Sequence, residues 1–251
     1  MKTLLFWGLA LLTMFLTSCA EDEPEGSAAD VCPEAGTNRY GMPNRGTFTD
    51  ERDGRVYKYT TIGDQVWMAE NLKYDAPYSA CPIVREDYEK KYCFGVEKSC
   101  TTQECCSQKL CEIFGRYYSI VENGKGQGII DRNLADTICP KGWHVPIKKE
   151  LEILFDNMTG NDDEWSAADR MKSSDSNMFF SPEHLPPGSN DCGFSIISSG
   201  SFEQNGTFYL TSATILTSTQ VDVDREWVGF VDNRIALLRN DSKTSIRCIK
   251  D

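Results

Sequence analysis

The chain is poor in histidine: His144 and His184 are the only two in 251 residues. That scarcity, with no H-E-x-x-H helix, excludes a zinc protease of that type. Cationic excess is also missing. Lys and Arg total 26 against 38 Asp and Glu, a formal charge of −12, and such a surface repels nucleic-acid phosphates and anionic lipid headgroups. No G-x-S-x-G elbow or comparable nucleophile and base arrangement occurs. His144, in Gly-Trp-His-Val-Pro beside Pro146, therefore reads as structural, and His184, in a Pro-flanked polar loop, as surface. Asn161-Asp162-Asp163-Glu164 lacks the alternating acid spacing of a calcium loop and reads as a solvated turn. Beyond the N-terminus no apolar run is long enough to cross a bilayer. Apolar residues come in short clusters instead of long stripes, which excludes an extended helical bundle.

What is present begins with an address. An apolar run from Leu4 to Phe15, preceded by Lys2 and closed by Leu16-Thr17-Ser18-Cys19, has the length and ending of a processing signal. Residues 1–18 are read as a lipoprotein signal peptide and Cys19 as the lipidated first residue. The acyl chains then hold the protein to the membrane, each buried methylene contributing about 0.8 kcal/mol. Residues 19–46 are rich in acid, Gly and Pro and poor in apolar side chains, as in a flexible acidic tether. Its Glu21-Asp22-Glu23 start resembles the sorting signals of some Bacteroidetes-type surface lipoproteins. The expected location is the cell envelope, as an outer-membrane lipoprotein, and the acidic start fits either surface export or ordinary solvated linker charge.

Eleven cysteines are present. Setting Cys19 aside leaves an even remainder, which in an exported chain points to as many as about five disulfides. A metal site is the rival reading, since six of these cysteines crowd into residues 81–111. It is disfavoured by the absence of any C-x-x-C pair or histidine there. No cofactor is implied, and no motif supports calcium.

Residues 47–251 read as one α+β domain with a Cys-rich insert at about 76–111. Val56 to Ile62 is β-branched and aromatic between Asp53-Gly54 and Gly63-Asp64 turn signals, and a hairpin into Gln65-Val66-Trp67-Met68 follows. The insert is read as a loop or short helices. Ile147, Leu151, Leu154, Phe155 and Met158 recur at helical spacing after Pro146 as one core face, with Gly160 as a stop. A second short helix is predicted over 163–172, with Trp165, Ala168 and Met171 inward. Short strands are predicted over 193–198, 207–212, 226–231, 234–239 and 245–249.

The blocks YKYTTIGDQVWMAENLKY, FGRYYS, ICPKGWHVPIKKELEIL, AADRMKSS, DCGFSIISSG and SIRCIKD together resemble the Fibrobacter succinogenes major paralogous domain. The likeness spans about residues 47–251. It implies a fold similar to the C-type-lectin and formylglycine-generating-enzyme group: twisted antiparallel strands, two short helices, and a last strand paired near the domain's beginning. It also implies a Cys139–Cys248 bridge, stabilising by about 4–5 kcal/mol through its long loop, and a Cys93–Cys111 bridge. Cys32, Cys81, Cys100, Cys105, Cys106 and Cys192 then have fifteen pairings open. The sequence departs from the family where Phe208 to Ala213 lacks a usual tryptophan. At Ile147 a helix-capping Ser or Thr is common, and its loss weakens a helix start by about 1 kcal/mol.

Calcium-lectin sugar triplets are absent from the relevant half. The terminal thiol Cys248, expected in a bridge, does not suit formylglycine-generating chemistry. With 38 acids, no carboxylate pair for glycosidase work stands out. Trp67 and Trp143 sit in apolar blocks and read as core, whereas Trp227, near variable loops, is the candidate ligand-binding ring. The expectation is a non-enzymatic, surface-anchored binding lipoprotein for adhesion to an extracellular polysaccharide or surface protein. The alternatives are a polysaccharide-active enzyme and a purely structural envelope protein. Replacing Cys19 with Ala is expected to shift the protein from the membrane pellet to the soluble fraction; unchanged retention would contradict the lipid anchor.

Overall fold

The computed structural model describes residues 31–76, 79–81, 103–121, 129–131, 137–160, 163–178, 186–202, 208–209, 213–221, 224–231, 234–240 and 243–251. In chain order the strands and helices are β1 (Arg45–Thr49), β2 (Val56–Ile62), β3 (Gln65–Met68), α1 (Gln103–Phe114), β4 (Tyr117–Val121), β5 (Ile129–Asp131), β6 (Trp143–His144) and α2 (Lys148–Thr159). There follow α3 (Glu164–Met171), a 3-10 turn at Ser176–Met178, β7 (Ser201–Phe202), β8 (Phe208–Tyr209), β9 (Ala213–Val221), β10 (Asp224–Val231), β11 (Arg234–Asn240), β12 (Thr244–Ser245) and β13 (Ile249–Lys250). The class is α+β, with mainly antiparallel sheets.

The central sheet runs β1-β2-β3-β13-β6. Its hairpin forms where the turn signals stand. Ile62 pairs with Gln65, and Gly63, at φ 54°, supplies the left-handed residue that a two-residue hairpin loop requires. The last strand inserts at the other edge of β3, with Ile249 opposite both Trp67 and His144. Sequence-distant segments are thereby paired side by side.

Strand alternation decides which core each side chain enters. Trp67 packs with Ile62, Leu151, Leu154, Met158, Ala168 and Phe194, under α2 and α3. Its neighbours Val66 and Met68 join Tyr57, Tyr59, Leu72, Trp143 and Ile246 in a second cluster. Trp67 is fully buried; truncating such a ring costs about 3–5 kcal/mol. Its indole N–H donates to Gln65 Oε1 at 3.1 Å, so the one polar atom of the ring is satisfied. Trp143 is also core, stacked on Phe48 with centroids 4.3 Å apart.

Helix α2 starts without a side-chain cap, because Ile147 has no acceptor. Glu150 Oε2 instead accepts from the Ile147 N–H at 2.8 Å, half of a capping box. Helix α3 is capped by Asp163, which accepts from the Ser166 N–H at 2.8 Å. Ala167, Ala168 and Met171 are buried, but Trp165 is 49% exposed, contrary to the inward position expected for it. It lies in the first turn, rotated off the stripe that these three residues share.

The structure corrects further expectations. The predicted tether boundary at residue 46 falls inside the fold: Val31 O accepts from Gly63 N–H, Asn44 O accepts from Thr61 N–H, and buried Cys32 is bonded to Cys192. That cross-link and these backbone bonds order residues whose composition offers little burial. Residues 193–198 are not a strand. Only Ile196 bridges, to Lys172, because carbonyls of this segment are taken by Arg247. The region before Phe114 carries a twelve-residue helix, α1. Cys111 is bonded to Cys81 and not to Cys93: Ala80 bridges to Tyr117, which brings Cys81 beside the end of α1. Cys93 and Cys100 lie outside the described residues. Cys139 is bonded to Cys248, Cα atoms 5.9 Å apart, and Cys106 is also in a disulfide.

Candidate functional site

Arg247 stands between Ile246 and Cys248, both buried in the second core cluster. Alternation sends its side chain to the other side, where it is 1% exposed. Burying a guanidinium without partners costs several kcal/mol, so its acceptors are the first thing to account for. Nε donates to Asn71 Oδ1 at 2.8 Å, one terminal nitrogen to Phe194 O, and the other to Ser195 O at 2.7 Å. The Phe194 ring lies 4.8 Å from the guanidinium carbon, a cation–π contact. Burial lowers the Arg247 pKa to about 9, partly offset by the field of Glu70, so the group is still cationic at neutral pH.

Each partner is held in turn. Asn71 Nδ2 donates to Phe114 O at 2.8 Å. The next residue, Gly115, has φ 81° and leaves no room for a Cβ, which would sit 2.6 Å from that of Asn71. Ser195 adopts φ 57°, an uncommon conformation for a residue with a Cβ. Asn190 holds it there, accepting from Ser195 N–H at 2.8 Å and donating to Ser195 Oγ at 2.9 Å. Backbone strain of this kind concentrates at functional sites.

Above this cluster opens a cleft of about 230 Å³. Arg247, Asn71 and Ser195 line it together with Lys58, Glu70, Lys73, Ser173 and Asp175, and Ile113, Met178 and Ile197 supply apolar surface. Glu70 has both oxygens engaged: Oε2 accepts from Lys58 N–H at 2.8 Å and Oε1 faces Lys73 Nζ at 3.3 Å. Among the described residues, Ser195 Oγ is tied to Asn190 and has no base beside it.

His144 belongs to a separate cluster. Its Nε2 is 2.9 Å from Glu150 Oε1 and its Nδ1 2.7 Å from Asp251 Oδ1. The Glu150 hydrogen bond raises its pKa, burial opposes, and the Asp251 bond and both carboxylate charges add to the rise. With both ring nitrogens occupied by carboxylates, it joins β6 to the start of α2 and to the residue after β13. That is a structural clasp. Trp227 lies in β10 opposite Leu216 and Leu238; its side chain is outside the described part. Cys19 and His184 also lie outside the described residues.

Sequence reading passed over Arg247, Asn71, Ser195 and Lys58. A usable signal was an arginine inside the apolar run Ser-Ile-Arg-Cys-Ile, where a charge must find acceptors. Among the described residues no group of three or more His, Cys, Asp and Glu is placed to hold a metal, and no helix is long and apolar enough to cross a membrane.

The raised His144 pKa sets a sign. Stability from the clasp is fully present below the unfolded value of about 6.5 and is lost as pH rises through the higher folded value. For a partly exposed group the loss is about 1 kcal/mol. Urea denaturation at pH 5.5 and pH 9 is expected to show that loss in the wild type and not in His144→Gln; equal pH dependence in both would contradict it.

Residues 60–250 match the family model of the Fibrobacter succinogenes major domain. No curated protein and no solved structure matches the chain.

Proposed function

The chain belongs to the Fibrobacter succinogenes major domain family, and from that premise we propose that it is a lipid-anchored binding protein of the outer membrane, recognising an extracellular glycan or protein without catalysing a reaction. The observation that carries this reading is the cleft above Arg247. It combines donors, acceptors and apolar surface on a base that bonds fix on every side, the composition of a recognition pocket. Its carboxylate Glu70 is committed to donors and its serine Ser195 to Asn190, which favours binding over hydrolysis.

We assign the domain to a C-type-lectin-like architecture. Two features support that assignment: a last strand seated between β3 and β6, and the Cys139–Cys248 bond that ties the segment before β6 to it. Such a frame, bridged and rigid, suits recognition by the loops it carries. Lipidation at Cys19 supplies the anchor, and the acidic residues behind it fit export to the outer face.

The test is a glycan-array screen of the full chain with its disulfides intact, with and without calcium, alongside Lys58→Glu and Trp227→Ala. Reproducible binding is expected, reduced at least about tenfold by Lys58→Glu. Loss through Trp227→Ala alone would move the site to β10. Silence across plant and microbial polysaccharides would favour a protein partner or a structural envelope role, and release of shortened glycans would overturn the non-enzymatic reading.

A further inference from the structure

Arg247 brings a positive charge to the cleft lining, and among the described residues no carboxylate is bonded to it. Its three hydrogen bonds end on the neutral oxygens of Asn71, Phe194 and Ser195. A guanidinium has five N–H groups, so each terminal nitrogen keeps one beyond these bonds. Phe194 lies against the group, and the cleft is open space that the side chain lines. Glu70 is the carboxylate whose field supports Arg247, yet its oxygens are committed to Lys73 and to the Lys58 N–H. Lys58 itself is exposed at the rim and forms no ion pair among the described residues. Three cations thus border a small space shared with two carboxylates, on a chain whose formal charge is −12.

We propose that this cleft binds the carboxylate of a uronic acid residue in an extracellular polysaccharide, with exposed Lys58 as the cation that meets it and buried Arg247 adding positive potential from behind the lining. The inference rests on the binding-protein reading and names its ligand class. Size and lining favour a sugar over an acidic peptide. The volume of about 230 Å³ is below the roughly 300–1,000 Å³ of pockets for drug-sized ligands, and suits one ring. The hydroxyl of Ser173 matches a ring hydroxyl, and Ile113, Met178 and Ile197 suit the C–H face of a pyranose. Asp175, also in the lining, suits sugar hydroxyl donors and repels a second carboxylate nearby, as in an acidic peptide.

The experiment is ligand-observed NMR titration of the full, oxidised chain with sodium galacturonate and sodium glucuronate. Galactose and glucose serve as uncharged twins, and acetate and glutamate as carboxylates without a sugar ring. At least one uronate is expected to bind about tenfold or more tightly than its neutral twin and than either simple carboxylate. Added salt should weaken it. Lys58→Met, at an exposed position, should lower the affinity by about tenfold while leaving the thermal midpoint unchanged. Equal binding of the neutral sugars, an unchanged affinity in Lys58→Met, or silence of both uronates would overturn the proposal. Glutamate binding as tightly would replace the sugar with an acidic peptide. If the glycan array gives neutral-glycan binding and uronates are silent, only this inference falls; silence in both removes the glycan reading as well.

Discussion

The rest of the domain depends on one buried positive charge. Arg247 must be solvated by protein, since water is excluded from it, and the acceptors it needs come from two other parts of the chain. Asn71 lies in the Trp-Met-Ala-Glu-Asn-Leu block, Phe194 and Ser195 belong to Gly-Phe-Ser, and Asn71 in turn binds Phe114 of the Phe-Gly-Arg-Tyr-Tyr block. Four of the sequence blocks that identify the family therefore converge on a single guanidinium. Removing one partner from a buried charge costs about 3–5 kcal/mol, a large share of the roughly 5–15 kcal/mol by which domains are stable. The charge specifies more than it stabilises: only one register of β13 against β3 brings Arg247 to Asn71.

Covalent links act around that centre. Cys32–Cys192 and Cys139–Cys248 span 160 and 109 residues, long loops whose closure restricts the unfolded chain strongly. The first places residues 31–46 against the loop that supplies Phe194 and Ser195. The second fixes the residue directly after Arg247. Cys81–Cys111 secures α1 beside Tyr117, next to the Phe114 carbonyl that holds Asn71. Bridges and hydrogen bonds thus constrain the same few segments from different sides, and the cleft opens where those segments meet.

Features with local causes were legible in the sequence. The β2-β3 hairpin followed from β-branched residues and the Gly63-Asp64 turn, and α2 from the spacing of Leu151, Leu154 and Met158. Features set by distant partners were not. Residues 193–198 have strand composition, yet their carbonyls serve Arg247 in place of a ladder. Residues 31–46 look like a tether until Cys32 finds Cys192. Cys111 takes Cys81 because a bridge at Ala80 delivers it, a contact no spacing rule contains. The cleft itself draws on Lys58, Asn71, Ser173, Ser195 and Arg247, which share no local pattern; the cue was the lone cation in an apolar run.

That cation links fold to recognition. Its neutral acceptors satisfy enough N–H groups to keep it buried and leave positive potential at the base of a cleft, so the same choice that fastens the strands prepares a place for an anion. The most direct measurement of this account is a double-mutant cycle on stability, using urea denaturation of wild type, Asn71→Ala, Arg247→Met and the double variant with disulfides intact. A coupling of about 2 kcal/mol is expected between the two positions, the double variant losing far less than the sum of the singles. Additive losses would contradict the central role of the Asn71–Arg247 contact.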